Sequence, residues 1–292
     1  MEANTPHWVS NIDPIAIHFF GGYGIRYYAL AYLLSFVAGY IMLGRLRRAG
    51  RSPLDADATA DAVYVLALGV MIGGRLGYMI LYAWPELLQR PFSLFMIWEG
   101  GMSSHGGFVG VAVALWYVSR KYQVSFRALG DLLCPIVPLG LLLGRIANFI
   151  NGELWGRVSR VPWAVIFPQS APAGTPITMI APRHPSQIYE ALLEGGLLLA
   201  WSQWRFWRTT AIQKPGRLSG EFLILYTAVR VIGEQFREPD AGLILGMSRG
   251  VFYSLFLVAC GAMLVALSAG NPDGKNQRKD APDTVERLME RT

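Results

Sequence analysis

The sequence predicts an all-α, polytopic membrane protein of about seven transmembrane helices with a small external cap. Hydrophobic residues make up 53% of the 292-residue chain and charged residues only 16%, whereas an ordinary soluble domain carries about 25% charged residues. Mean hydropathy is +0.33. The apolar residues fall in blocks of about the length of a bilayer crossing, roughly 17–25 residues, and the basic residues lie between those blocks. A formal net charge of +6 would otherwise suggest nucleic acid, but a nucleic-acid surface gathers its basic residues on one face. No nucleic-acid partner is therefore expected.

The blocks lie near 27–44, 61–83, 94–118, 129–150, 188–204, 219–236 and 250–268. The first 25 residues carry no Lys or Arg. A secretory signal needs a basic stretch before its apolar run, so the first block is expected to be retained as a span. The third block opens on the segment GGMSSHGG. The fifth is the least clean, because Glu190 and Glu194 stand in its first half. No internal repeat is visible, which argues against an inverted-repeat transporter. Cys134 and Cys260 each lie in an apolar block and read as small buried hydrophobes, with neither metal spacing nor a disulfide framework. No metal and no cofactor is expected.

Lys and Arg placement sets orientation. Sixteen of these residues fall on the side of Arg45–Arg51, Arg120–Arg127, Arg205–Arg217 and the tail, and seven on the other. The N-terminus is then external and the C-terminus cytoplasmic. The loop 151–187 becomes an external cap, with six prolines and with Trp155 and Trp163 at headgroup depth. Residues 1–269 form the transmembrane domain, and 270–292 form a polar cytoplasmic tail.

That orientation sorts the polar residues by depth. Arg75 lies late in the second block, Arg145 and Asn148 late in the fourth, and Arg230 late in the sixth. Tyr28 lies early in the first and His105 early in the third, with Glu153 just beyond the fourth. All are expected in the outer half of the bilayer. An Arg at the bilayer centre costs about 2.5–3.5 kcal/mol on insertion scales, and less where it snorkels. Snorkelling would account for Arg75, and a structural ion pair for Arg145 or Arg230. The interfacial aromatic belt is the commoner place for a residue like Tyr28, and His105 alone would usually be a packing histidine. Two guanidiniums at this depth nevertheless suit a phosphodiester, and a nearby imidazole can take a proton at neutral pH. Such a layout fits an enzyme acting on a phospholipid headgroup, without naming the acceptor.

The stretch GRIANFINGELWGR (Gly144 to Arg157) resembles the signature of the prolipoprotein diacylglyceryl transferase family. WEGGMSSHGG (Trp98 to Gly107), GGRLGY (Gly73 to Tyr78), PRHPSQIYEALLEG (Pro182 to Gly195) and RVIGEQFREPD (Arg230 to Asp240) resemble that family in the same order. Ala29 departs from it, standing where glycine is frequent. The resemblance implies that the thiol of a lipobox cysteine in a secreted prolipoprotein attacks the glyceryl carbon bonded to phosphate in phosphatidylglycerol. A thioether forms and glycerol phosphate leaves, in the bacterial cytoplasmic (inner) membrane. The resemblance also implies roles: Arg145, Arg230, His105 and Glu153 as catalytic. Arg145, Asn148, Tyr28, Gly156, Tyr226, Glu234 and Arg75 would bind substrate. The expected partners are phosphatidylglycerol, prolipoproteins and the membrane lipid itself. A transporter or flippase for an anionic lipid or solute is the alternative, and a structural subunit would leave the depth sorting unexplained.

Overall fold

The computed structural model describes residues 7–19, 24–96, 100–239 and 242–269, and the chain within them is mostly helical. The proposed tail, 270–292, lies outside the described residues, as do Trp98, Glu99 and Asp240 of the motifs.

Among the described residues ten α-helices follow one another: α1 Tyr27–Arg48, α2 Ala56–Leu81, α3 Trp84–Gln89, α4 Ser104–Tyr122, α5 Phe126–Leu133, α6 Val137–Ile150, α7 Ser186–Glu190, α8 Leu198–Arg208, α9 Arg217–Glu234 and α10 Arg249–Ala269. Between α7 and α8 the chain continues as a π-helical stretch, Ala191–Leu197. Local chemistry sets several starts. The Asp55 carboxylate accepts from the Ala58 amide at 2.8 Å, and the Ser103 hydroxyl from Gly106 at 3.2 Å, as N-caps do.

By length and apolar composition, three helices among the described residues are able to cross a membrane: α1, α2 and α10. The α5–α6 pair, bent by 47°, makes a fourth if it is one span. Pro135 and Pro138 at the break explain the bend, since proline lacks the amide that a continuous helix needs there. The membrane-length helices expose apolar rows to their surroundings: Leu33, Leu34, Val37 and Ile41 on α1, and Leu255, Phe256 and Met263 on α10. A water-facing helix would not carry such rows, so the molecule is membrane-embedded. Cys260 corrects its expectation, being exposed on α10 while Cys134 is buried.

The third expected span, 94–118, is also corrected. Helix α4 begins only at Ser104, because Gly100 and Gly101 have φ of +84° and +78°, values no right-handed helix accommodates. The fifth block is one helical run from Ser186 to Arg208, with its π-helical stretch around Glu194.

Helix α2 packs along α4, α10 along α9, and α6 against α1 and the π stretch. The α2–α4 contact is a glycine seam: a Cβ on Gly73 would stand 2.7 Å from the Cα of Gly110. At one end of the bundle meet the N-termini of α1, α4, α7 and α10 and the C-termini of α2, α6 and α9. Arg249 at the start of α10 donates to the carbonyl of Leu81 at 2.9 Å, and the Arg157 amide to Phe236 at 2.9 Å. At the other end Arg51 donates to the carbonyl of Phe206 at 2.6 Å, and Lys121 pairs with Asp61 at 2.8 Å. There too Asp131 accepts from the Gly216 and Ser219 amides, each at 2.7 Å. The Arg-rich loops of the sequence thus gather at the end opposite Tyr28, Glu153 and Arg230.

Residues 151–185 fold over the first end as short strands and 3-10 turns. Strand β1, Trp8–Val9, pairs in parallel with β4, Val165–Ile166. Strand β2, Ile15–His18, pairs antiparallel with β3, Gly24–Arg26. The N-terminal segment therefore joins the cap, which the sequence did not indicate.

Candidate active site

Beneath the cap lies a cluster of buried charge. Helices α6, α7 and α9, the π-helical stretch and the turn after α9 bring Arg145, Arg230 and Arg237 against Glu190, Glu194 and Glu234. Arg145, on α6, donates through Nε and Nη2 to Glu194 Oε2 at 3.1 and 2.9 Å, and its Nη1 pairs with Glu190 Oε2 at 2.8 Å. Arg230, on α9, pairs through Nη1 with Glu194 Oε1 at 2.9 Å and Glu190 Oε1 at 3.2 Å, and through Nη2 with Glu234 at 2.9 Å. Arg237 reaches Glu190 Oε1 at 3.4 Å. Glu190 and Glu194 are both 0% exposed. Glu190 and Glu194 each bridge Arg145 and Arg230, so these charges are paired in one network among the described residues. Buried charge is tolerated only where paired in this way.

Both arginines, expected at one depth, are thus held in ion pairs with buried carboxylates. In the sequence Glu190 and Glu194 interrupt an apolar block within the Pro182–Gly195 motif, without indicating their partners. Two carboxylates four residues apart inside such a block were the signal, since intramembrane carboxylates take partners. The π-helical stretch also belongs to the site. Gly195 lies so close to α6 that a Cβ would stand 2.7 Å from the Cα of Leu142, and the wider turn carries Glu194 across to Arg145. Single π turns recur at functional sites.

One turn beyond Arg145 a second group forms. The Tyr28 hydroxyl donates to Glu153 Oε1, and the Asn148 amide donates to the Tyr28 hydroxyl and, at 3.0 Å, to Glu153 Oε1. Gln187 on α7 donates to the backbone carbonyl of Glu153 at 2.7 Å, linking this group to the glutamate-bearing helix. Tyr28, Asn148 and Glu153, far apart in the chain, are thus brought together.

His105 sits in the first turn of α4, its ring edge-on to Tyr253 of α10 at 5.0 Å between centroids. Three residues earlier, Gly250 lies against the Arg230 guanidinium, where a Cβ would stand 2.9 Å from Nη2. The start of α10 therefore spans the gap between His105 and the cluster. The Nδ1 of His105 is buried with no hydrogen-bond partner among the described residues. Tyr226, one turn before Arg230, is buried against Phe108 and Phe222. Gly156 is a close-approach glycine: its amide donates to His184 at 2.9 Å, and it bridges to Arg237.

Arg75 does not join these groups. It is 4% exposed, so it does not snorkel. Its guanidinium donates to the carbonyls of Ser93, Leu94, Gly100 and Gly101.

In the cap, His184 Nδ1 lies 3.2 Å from the Tyr189 hydroxyl, which accepts from Trp163 Nε1 at 2.6 Å. Burial against Tyr189 and Phe236 lowers the His184 pKa below the ordinary imidazole value. No group of three or more metal-ligating side chains occurs among the described residues.

Comparison with known proteins bears on this arrangement. Residues 14–267 match the family profile described as prolipoprotein diacylglyceryl transferase. The chain is 44% identical over 269 residues to the phosphatidylglycerol–prolipoprotein diacylglyceryl transferase of Idiomarina loihiensis, covering 91% of this chain and 96% of that protein. It is 44% identical over 273 residues to the protein of that name from Nitrosomonas europaea, covering 91% and 93%. With the one from Bradyrhizobium diazoefficiens it shares 38% over 285 residues, covering 94% and 95%. Matches of this extent span every helix from α1 to α10 and both buried clusters, and on that basis the chain belongs to the prolipoprotein diacylglyceryl transferase family.

Proposed function

We propose that this protein transfers the diacylglyceryl group of phosphatidylglycerol to the thiol of a prolipoprotein lipobox cysteine. The observation that carries the reading is the paired-arginine cluster at the capped end of an apolar bundle, within a chain matching this family almost end to end. The cysteine sulfur attacks the glyceryl carbon bonded to the phosphate oxygen. The C–S bond forms as the C–O bond breaks, and glycerol phosphate departs with the electron pair.

The roles follow from placement. Arg145 and Arg230 receive the phosphate, whose charge rises as the bond breaks, and fixed guanidiniums stabilise that change best. Because Glu190 and Glu194 occupy them at rest, the phosphodiester enters by competing with a carboxylate. Tyr28, Asn148 and Glu153 hold the glycerol and the approach to Arg145, while Gly156 lets the cap close on Arg237. Tyr226 and Glu234 fix Arg230. A cysteine thiol has a pKa near 8.5, so a base is required, and the Nδ1 of His105, buried without a hydrogen-bond partner among the described residues, is the group that takes the proton.

The charge distribution supports a bundle of about seven membrane-crossing segments, α1, α2, α4, α5–α6, α7–α8, α9 and α10. Among them, α4 carries His105 and α9 carries Tyr226, Arg230 and Glu234. The Arg-rich end then faces the cytoplasm of a bacterial inner membrane. Residues 1–269 act as one catalytic domain with 151–187 as its external cap, followed by a cytoplasmic tail.

The test is direct. Purified protein is incubated with phosphatidylglycerol labelled in its acyl chains and a lipobox peptide. Label should become bound to cysteine in a form that resists ester-preserving thiol reagents, and a Cys→Ser peptide should take up none. Translocation of labelled lipid across vesicles without label on cysteine would overturn the reading in favour of a flippase.

A further inference from the structure

Arg75 is the buried cation that the proposed mechanism leaves without a task. All three of its guanidinium nitrogens donate to backbone carbonyls: Nε to Leu94 at 3.2 Å, Nη2 to Ser93, and Nη1 to Gly100 and, at 3.3 Å, to Gly101. Among the described residues, each of the three nitrogens is engaged by a backbone carbonyl. The carbonyls come from two stretches, the 3-10 turn 91–95 and the glycine pair at 100–101, which one guanidinium fork joins.

The glycine pair leads directly into α4. Gly100 and Gly101 are left-handed, at φ +84° and +78°, and the ring of Tyr78 covers Gly101 where a Cβ would stand. The Ser103 amide donates to the carbonyl of Gly74, the residue before Arg75, at 2.9 Å. Ser103 then caps α4 through the Gly106 amide at 3.2 Å, and His105 follows on the first turn. Two consecutive residues of α2 therefore hold the chain on the approach to His105, while the glycine seam holds α4 itself. Glycine-rich backbone at membrane depth has few side chains to fix it and needs its carbonyls satisfied. Arg75 supplies both.

We propose that Arg75 is a positioning residue: it clamps the glycine turn 100–103 to α2 and thereby sets where the His105 imidazole stands over the cluster. This rests on the reading of His105 as the proton acceptor. A displacement of about 1 Å in a reacting group costs on the order of 100-fold in rate, so a loosened turn would be felt in the chemical step.

Arg75→Gln and Arg75→Lys are prepared in the wild-type and His105→Gln backgrounds and assayed across phosphatidylglycerol concentrations. Hydrogen exchange is followed in parallel. Arg75→Gln should lower kcat by about 10–100-fold with the KM for phosphatidylglycerol nearly unchanged. Exchange should rise at residues 100–105 and not in α7 or α9. Arg75→Lys should recover part of kcat, because an ammonium reaches fewer of the carbonyls. In the His105→Gln background the Arg75 change should cost little more, as expected for residues acting through one another. A raised KM with kcat intact would overturn the proposal and make Arg75 a headgroup contact. Additive losses, or faster exchange throughout the molecule, would reduce it to general structural support. Should Arg75→Gln fail to fold, Arg75→Lys is judged by the same criteria. If His105 is not the base, the ratio of His105→Gln to wild-type rate stays flat with pH whatever the coupling to Arg75, so the two failures are distinguishable.

Discussion

Glu194 is the residue whose removal separates the resting network from the working one. Its two oxygens hold Arg145 and Arg230, at 2.9 Å each. Glu194→Gln leaves a buried positive charge uncompensated, and breaking a buried pair costs about 3–5 kcal/mol. Thermal unfolding in a neutral lipid should show that loss. Phosphatidylglycerol should restore much of it, because the phosphodiester supplies the missing negative charge. Equal destabilisation in both lipids would show that phosphate does not enter between these arginines. His105 is tested by pH. If it takes the thiol proton, His105→Gln should slow turnover by about 10²–10⁴-fold at saturating lipid. The defect should shrink toward pH 8.5, where more cysteine is already thiolate. A ratio that stays flat from about pH 6 to 9 would pass the role to Glu153.

The elements that deliver these residues have their own constraints. The α2–α4 seam has no room for side chains, so Gly73→Val should force the helices apart and cost about 1–3 kcal/mol. Gly44→Ala on α1, where nothing lies within 4 Å of a Cβ, should be neutral or slightly stabilising, since alanine favours helix. Thermal unfolding of both variants checks the contrast, and equal stability would mean the seam is not close-packed. In the cap, burial favours neutral His184 in the folded state. The unfolded chain binds that proton near the ordinary value of about 6.5, so the stabilisation is full above that pH and declines as pH falls below it. Limited proteolysis of 157–183 should therefore accelerate below about pH 6.5, and His184→Gln should flatten the dependence. Unchanged pH dependence in that variant would assign it to another group.

At the scale of the whole molecule, the two ends of the bundle differ in kind. One gathers helix ends around a cluster of paired charges under a cap. The other carries Arg51, Lys121, Arg127, Arg205 and Arg217 bonded to helix ends and carboxylates. A reporter fused after Gln213 should read cytoplasmic and one inserted near Ala173 external. An external signal at Gln213 would invert the orientation, placing the cluster in the inner leaflet where no secreted thiol arrives.

Much of this was legible in the residues. Apolar blocks of bilayer length marked α1, α2 and α10, because lipid exposure is a property of composition, summed locally. The positions of Arg145, Asn148, Arg230 and His105 within those blocks placed them at one end of the bundle, since depth along a helix is set by residue count. Motif order pointed to the family. Pairing was not legible, because it depends on which helix faces which. Glu190 and Glu194 interrupted a hydrophobic pattern until folding set them between two arginines. Arg75 had the depth of a site residue, yet the tertiary structure turned it to the carbonyls of a glycine turn. The N-terminal strand gave no periodic signal in two residues, and only the cap beside it supplied a partner. Depth is counted along one chain, whereas the partners of a buried charge are chosen across several, and only the packed bundle decides them.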